Sequence, residues 1–253
     1  MQDGQKHEMR SANDVPVWAV VPVKSLTRAK TRLAGVLAPS ARRRLVLTMF
    51  EDVLAILRAT PAIGSILVVT ADRLVALNGE REGARIIPED HPAGLNGALR
   101  LGAVHARREG AKRVLFIPAD VPLATPAEIG QIVSVPYRSE GEFAVIVPAQ
   151  ASDGTNALLL SPPEALAPNF GQDSFAMHCR QAASRGLQAQ VMRLKGLGKD
   201  IDEPADLAAL MMVMRGSVRY AFLPAALRDR ASRLKARPRM RAAPERVTGV
   251  SEP

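Results

Sequence analysis

The chain has a single cysteine, Cys179, in 253 residues. One thiol excludes an internal disulfide framework and fits a reducing compartment, and its plain reading is a half-buried small apolar side chain. Aromatic residues are few, 4% of a chain that is 47% hydrophobic, so the core has to be aliphatic, built from Val, Leu, Ile, Ala and Met. No apolar run approaches the length of a membrane span, and no N-terminal segment joins a basic region to an apolar one. The expected location is therefore cytoplasmic, with no membrane partner. His91, His105 and His178 lack metal-ligand spacing and read as surface or loop groups. A dinucleotide fingerprint is absent, and Gly196-Leu197-Gly198-Lys199-Asp200 lacks the first glycine and the Ser/Thr of a full phosphate loop. No internal repeat is present.

The net charge of +9 is unevenly placed. From Gly216 onward eight Arg and one Lys face three carboxylates, a net +6, whereas residues 1–14 carry −1 and residues 15–215 carry +4. The body is mildly basic, which suits an anionic small-molecule substrate without requiring one.

Strands and helices alternate along the body. Val17–Val21 is dense in apolar and β-branched residues and reads as a buried strand ended by Pro22. A basic loop with Lys24, Arg28, Lys30 and Arg32 follows. Val46, Met49, Phe50, Val53, Leu54 and Leu57 share one face of a helix that starts near Pro39 and stops at Pro61. Ser65–Thr70, Ala84–Pro88, Arg113–Ile117 and Phe143–Pro148 read as further strands, with Ala157–Leu160 following a turn at 152–156 and Leu187–Leu194 as a late strand. Thr125-Pro126-Ala127-Glu128 has the cap, proline and acid of a helix N-terminus. Helices also start at the two-glycine loop 89–99, at Phe170–Phe175 and at Asp200–Pro204. This order predicts one doubly wound α/β domain over residues 15–215. A polar, disordered leader (1–14) precedes it. A basic, largely disordered tail (216–253) follows, in which VRYAFLP could form a short strand and Ala225–Arg237 a basic helix.

In open α/β sheets ligands bind beyond the carboxyl ends of strands. The first strand delivers Lys24, Lys30 and Arg32 there, the fourth delivers Asp120, and later segments deliver Asp153, Thr155, Asn156, Asp200 and Asp202. Cations and carboxylates at one edge fit a phosphorylated substrate with a divalent metal. Plainer readings stand beside this one. Asp120 between two prolines could shape a turn, and Asp202 could cap the last helix. Thr155 and Asn156 could be turn residues, and Gly171 and Ser174 could simply start a helix.

The segments VPVKSLTRAKTRL, GLNGAL, FIPADVPL, DGTNALLL, FGQDSFAMH and DIDEPADL, in that order, resemble the guanylyltransferases of coenzyme F-420 biosynthesis, which act on 2-phospho-L-lactate, phosphoenolpyruvate or 3-phosphoglycerate. DIDEPADL and the Pro-Ala-Asp turn by themselves occur across many nucleotidyltransferases; the ordered set is more specific. The resemblance covers residues 15–215 and leaves the segment beyond Gly216 unexplained. It implies a single-domain, Rossmann-like nucleotidyltransferase fold with a mostly parallel sheet and helices on both faces. It also implies GTP and Mg²⁺ as requirements and a phosphorylated three-carbon acid as acceptor. Carried over residue by residue, Asp120 and Asp202 are the catalytic metal ligands. Thr155, Gly171 and Ser174 contact the acceptor acid, Lys24, Lys30 and Arg32 meet the triphosphate, and Asn96 lies near the guanosine.

The implied reaction is in-line attack of the acceptor's phosphate oxygen on the α-phosphorus of GTP, with loss of pyrophosphate. Phosphate is already a competent nucleophile, so the lack of a Ser-His or Cys-His pair is consistent with catalysis by alignment and charge neutralisation. Two alternatives remain. A molybdenum-cofactor type of nucleotidyltransferase would carry a glycine-rich loop where this chain is basic. A polyanion-binding protein could act through the Arg-rich tail, yet Tyr220 and Phe222 offer little for base stacking, so nucleic acid is not the expected partner. A homodimer is the base-rate expectation for assembly.

Overall fold

The computed structural model describes residues 15–91, 93–135, 141–150 and 153–235. The leader 1–14 and residues 236–253 lie outside the described residues. Going along the chain, β1 (Val17–Pro22) is followed by α1 (Pro39–Arg58), β2 (Ile63–Thr70), α2 (Arg73–Arg81) and β3 (Arg85–Pro88). Next come α3 (Gly94–Arg108), β4 (Arg113–Phe116), α4 (Pro126–Val133), β5 (Phe143–Pro148) and β6 (Thr155–Ser161). The chain continues through α5 (Ser174–Ser184), β7 (Gln188–Val191), α6 (Pro204–Val213) and α7 (Leu223–Lys235). The seven strands form one sheet in the order β3-β2-β1-β4-β6-β5-β7.

Every pairing is parallel except those of β6, which is antiparallel to both β4 and β5. The connection between β5 and β6 is too short for a crossover, so only a hairpin can join them; Ala149 N–H donates to Gly154 O across its base. The reversal has a functional consequence. The beginning of β6, at Thr155, lies at the same edge as the carboxyl ends of β1 and β4.

The apolar face of each strand decides which helices cover it. Val17, Ala19 and Val21 of β1 face a cluster that includes Leu45, Met49, Phe50, Val53 and Leu57 of α1, Ile129 and Ile132 of α4, and Leu207 and Leu210 of α6. Val20, between them, faces the other side with Ala98, Leu99 and Ala106 of α3 and Ala182 of α5. That alternation is the period-two pattern of a strand buried on both faces. The α4 start behaves as its residues predict: Thr125 Oγ1 accepts from Glu128 N–H at 3.2 Å, and Glu128 Oε2 accepts from Thr125 N–H at 3.1 Å. Arg113, the first residue of β4, is completely buried and donates to the carbonyls of Val133 and Val135 at 2.9 Å each, closing the end of α4. Among the described residues no helix is long and apolar enough to cross a membrane.

Three sequence expectations need correction. The sequence reading has no helix between the second and third strands, but α2 stands there, with Asp72 Oδ1 capping Leu74 N–H at 3.0 Å. The late strand is Gln188–Val191 rather than Leu187–Leu194, an exposed edge strand paired on one side only. The largest difference concerns the tail. The basic helix expected at Ala225–Arg237 is present as α7, Leu223–Lys235, but VRYAFLP is not a strand: a 3-10 turn at Val218–Tyr220 leads into the helix. Tyr220 and Leu223 are buried in the α1 side of the core.

Charges hold this segment down as well. Tyr220 Oη donates to Asp52 Oδ2 at 2.5 Å, and Arg219 pairs with the other oxygen of Asp52 at 2.6 Å. Arg230 Nη2 donates to Ala34 O at 2.7 Å, and Arg42 Nη1 of α1 donates to Leu37 O at 3.0 Å. Two arginines thus clamp carbonyls in and just after the basic loop behind β1. A basic composition reads as disorder only when its apolar residues have nowhere to dock, and here Tyr220, Leu223 and Leu227 recur at helical spacing. Leu223→Ala should lower stability by about 2–5 kcal/mol, read as a shift in urea midpoint; a shift below about 1 kcal/mol would mean that α7 does not dock.

Candidate active site

The basic loop leaves β1 with Val23 N–H donating to Val69 O at 2.9 Å and Leu26 N–H donating to Asp72 Oδ2 at 3.0 Å. Asp72 therefore ties the loop to the end of β2 while it caps α2. Lys30 lies between two 3-10 turns with φ 50° and ψ 51°, a left-handed conformation that a non-glycine residue seldom adopts. Its side chain is 8% exposed, and Nζ lies 2.6 Å from Asp120 Oδ2 and 2.6 Å from Asp202 Oδ1. Burial opposes the charge on Lys30, but the two carboxylates outweigh it, and the pKa lies above the usual lysine value. The ammonium is charged at any working pH. Arg32, 67% exposed, reaches Asp202 Oδ2 at 3.4 Å. Lys24 is exposed at the start of the same loop.

The carboxylates are placed by backbone contacts. Ile201 N–H donates to Asp120 O at 3.0 Å and so joins the turn after β4 to the segment before α6. Asp202 does not cap α6: the N-cap is Glu203, and Asp206 Oδ2 accepts from Asp202 N–H at 3.1 Å and Glu203 N–H at 2.7 Å. With capping done by Asp206, the Asp202 side chain is left for Lys30 and Arg32. The Gly196–Lys199 turn is no phosphate loop either. Gly196 N–H and Leu197 N–H already donate to the Glu128 carboxylate at 2.8 and 3.3 Å. A Cβ on Gly196 would stand 1.9 Å from Leu123 O, so only glycine lets this turn approach α4. Asp200, two residues before Asp202, accepts from Asn156 Nδ2 at 3.2 Å. Burial and then the charge of Asp120 push its pKa up.

Thr155, Ser174 and Gly171 form a second cluster. Thr155 N–H donates to Ser174 Oγ at 2.8 Å, and Ser174 N–H to Gly171 O at 3.3 Å. Gly171 has φ +128°, open to glycine and strained for any other residue. Asn96 does not stand free. Its Nδ2 donates to Phe170 O at 3.1 Å and its Oδ1 accepts from Phe170 N–H at 2.8 Å. The Asn96 side chain thus grips the backbone beside Gly171 in the way a neighbouring strand would.

His178 is the residue the sequence reading misplaced. It is neither on the surface nor in a loop: it is fully buried on α5, with Nδ1 3.0 Å from Thr155 Oγ1 and Nε2 accepting from Asn169 N–H at 3.0 Å. The signal was its spacing of four from Ser174, which puts the two on one helix face.

Chemically, two aspartates that one ammonium can bridge are a hard-oxygen pair suited to a divalent cation whose remaining ligands come from water and phosphate. Among the described residues no cluster of three or more His, Cys, Asp or Glu residues is set to hold a metal ion. Asp120 and Asp202 would supply the protein's share, and Lys30 and Arg32 stand beside them for anionic oxygens.

The family described as guanylyl transferase CofC like matches residues 17–239. The chain belongs to this family. The match runs through α7, so the docked segment lies within the family's extent. The chain is 41% identical over 195 residues to a phosphoenolpyruvate guanylyltransferase of Conexibacter woesei, covering 76% of this chain and 86% of that one. It is 43% identical over 193 residues to that of Sphaerobacter thermophilus, with 76% and 91% covered. For Rubrobacter xylanophilus the identity is 42% over 204 residues, with 81% and 97% covered. Members of this guanylyl transferase family are nucleotidyltransferase enzymes, and guanylyl transfer is the activity class of this chain. The fold is shared more widely. A cytidylyltransferase of Leptospira borgpetersenii superposes with a TM-score of 0.57 at 11% identity, covering 90% of this chain and all 100% of that one. A nucleotidyl transferase of Methanothermobacter superposes at 0.54 with 18% identity, covering 83% and 99%.

Burial holds the His178 pKa down to about 4, below the ordinary value near 6.5. The unfolded chain therefore binds a proton that the folded chain does not, between those two values. The stability that comes from keeping His178 neutral is fully present above about pH 6.5 and is lost as pH falls toward 4, in total on the order of 3 kcal/mol. Urea midpoints measured from pH 7 to pH 4.5 should fall more steeply for the wild type than for His178→Phe; parallel curves would show that the histidine is not buried neutral.

Proposed function

We propose that this guanylyltransferase transfers GMP from GTP to the phosphate of a phosphorylated three-carbon acid, with release of pyrophosphate. Phosphoenolpyruvate is the first candidate, because the relatives that cover most of the chain are named for it. The reading keeps 2-phospho-L-lactate and 3-phosphoglycerate as rival acceptors, and it places the product in coenzyme F-420 biosynthesis. One observation carries the mechanism: Asp120 and Asp202, far apart in sequence, converge on one cationic point beside Arg32.

The reaction joins two polyanions, so charge neutralisation and alignment are the main tasks. Asp120 and Asp202 would hold Mg²⁺. When bound, Mg²⁺ offsets the negative charge that builds between the α-phosphate and the leaving pyrophosphate. Lys30 and Arg32 bind non-bridging phosphate oxygens on the same side, with Lys24 at the outer end of the loop. Lys30 serves as a positive charge for the phosphate oxygens, and the reaction asks no base of it. Thr155, Ser174 and the Gly171 backbone bind the acceptor acid. Asn96, by gripping Phe170, keeps the Gly171 segment in place between the nucleotide side and the acid side. No residue needs to remove a proton from the nucleophile, because the acceptor phosphate attacks as an anion.

The test presents the purified protein with GTP, Mg²⁺ and each of the three acids, and follows pyrophosphate release with product mass. Phosphoenolpyruvate should give the highest kcat/KM. Asp120→Asn and Asp202→Asn should each lower kcat/KM by on the order of a hundredfold, about 3 kcal/mol of transition-state stabilisation. Turnover of Asp120→Asn near that of the wild type would remove Asp120 from the mechanism, and a faster rate with another acid would replace phosphoenolpyruvate as acceptor.

A further inference from the structure

His178 is a fully buried polar group beside Thr155 and Ser174, and nothing in the reaction above uses it. Its hydrogen bonds decide where its proton sits. The partner of Nε2 is the backbone N–H of Asn169, at 3.0 Å, which can only donate. Nε2 is therefore the bare nitrogen, and the proton of the neutral ring is on Nδ1. Nδ1 lies 3.0 Å from Thr155 Oγ1, so the hydroxyl must accept. A hydroxyl has one proton of its own, and among the described residues no acceptor faces that of Thr155.

Ser174 repeats the pattern. Its Oγ accepts the Thr155 N–H at 2.8 Å, which leaves its proton for another partner as well. Thr155, Ser174 and His178 are all buried, so bulk water does not scramble these directions. The opposite tautomer, with the proton on Nε2, would take the Thr155 proton onto Nδ1 and turn an oxygen lone pair toward the ligand, which an anion would avoid. Segment 169–170 sets the choice. Asn169 supplies the N–H, Phe170 is gripped by Asn96, and the Phe170 ring lies edge-on to the imidazole with centroids 5.4 Å apart.

We propose that His178 is a positioning residue that holds the Thr155 hydroxyl as an obligatory donor, so that Thr155 and Ser174 together present two hydroxyl protons to an anionic group of the acceptor acid. The proposal rests on the assignment of Thr155 and Ser174 to the acid.

The experiment is steady-state kinetics with GTP, Mg²⁺ and phosphoenolpyruvate on His178→Phe, His178→Asn, Thr155→Val and the double variant His178→Phe/Thr155→Val. His178→Phe should raise KM for the acid about tenfold, the scale of one hydrogen bond to a charged group, and leave KM for GTP unchanged. His178→Asn, whose amide N–H can stand where Nδ1–H stood, should recover most of the loss. The double variant should be no worse than Thr155→Val, since both changes remove one interaction. Nitrogen-15 spectra of the wild type should show His178 protonated on Nδ1, a measurement that holds even if His178→Phe folds poorly. Protonation on Nε2, additive effects in the double variant, or equal losses in His178→Phe and His178→Asn would each overturn the proposal. If Thr155→Val raises the acid KM and His178→Phe does not, the acid assignment stands and the proposal alone falls. If Thr155→Val leaves the acid KM unchanged, the assignment fails and takes the proposal with it.

Discussion

Lys30 carries a positive charge into a nearly closed space, and Asp120 and Asp202 meet it there at 2.6 Å each. An isolated buried charge costs several kcal/mol, and two carboxylates facing one another without a cation repel. Each member of the triad is therefore tolerable only when the other two arrive, and they come from segments more than eighty residues apart. Much of the surrounding structure serves to deliver them. Asp72, Arg42 and Arg230 hold backbone groups of the basic loop and its continuation. Glu128 and Asp206 hold the turns that carry Asp200 and Asp202. The holding contacts are charged side chains on backbone groups, which are stronger and more directional than apolar packing. A site built this way can be stiff in its loops without a large loop core.

The reversed strand β6 solves a different problem. A purely parallel sheet would bring the residues proposed to bind the acid to the edge that carries Lys30 and Asp120 only after another crossover. The hairpin between β5 and β6 brings Thr155 to that edge directly, and α5 then lays Ser174 and His178 against it. From there a continuous set of contacts runs from Thr155 through His178 and the 169–170 segment to Asn96 at the start of α3. The residues assigned to the acid and the one assigned near the guanosine are joined by hydrogen bonds and one ring contact.

How much of this was legible in the sequence depended on how local the signal was. The buried strands announced themselves as short β-branched runs, and α4 by Thr125, Pro126 and Glu128 in the right order. The carboxylates were legible as candidates, because Asp120 follows a recognisable strand end and Asp202 precedes a recognisable helix start. Whether Asp202 capped a helix was not, since the N-cap Glu203 and its N3 partner Asp206 are equally acidic and lie within four residues. In the C-terminal segment the basic helix was legible but its docking was not, because the Arg count drew attention away from Tyr220, Leu223 and Leu227, which carry it onto the core. His178 misled because a lone histidine has no pattern of its own; its meaning comes from Thr155, which is twenty-three residues earlier.

By itself the sequence determined most of the strands and helices and their order, the aliphatic character of the core, the turn between β5 and β6 and the set of residue types available at the sheet edge. Those follow from periodicity, turn chemistry and connection length, which are properties of neighbours along the chain. Tertiary structure alone decided that Lys30 would stand between Asp120 and Asp202, that α7 would brace the basic loop through Arg230, and that His178 would be buried with its proton toward Thr155. Each of these depends on distance and burial between groups remote in sequence, and electrostatic and hydrogen-bond energies are set by those two quantities. The basic stretch behind β1 shows the division plainly: its charge could be read residue by residue, but which of its cations would face a carboxylate could not.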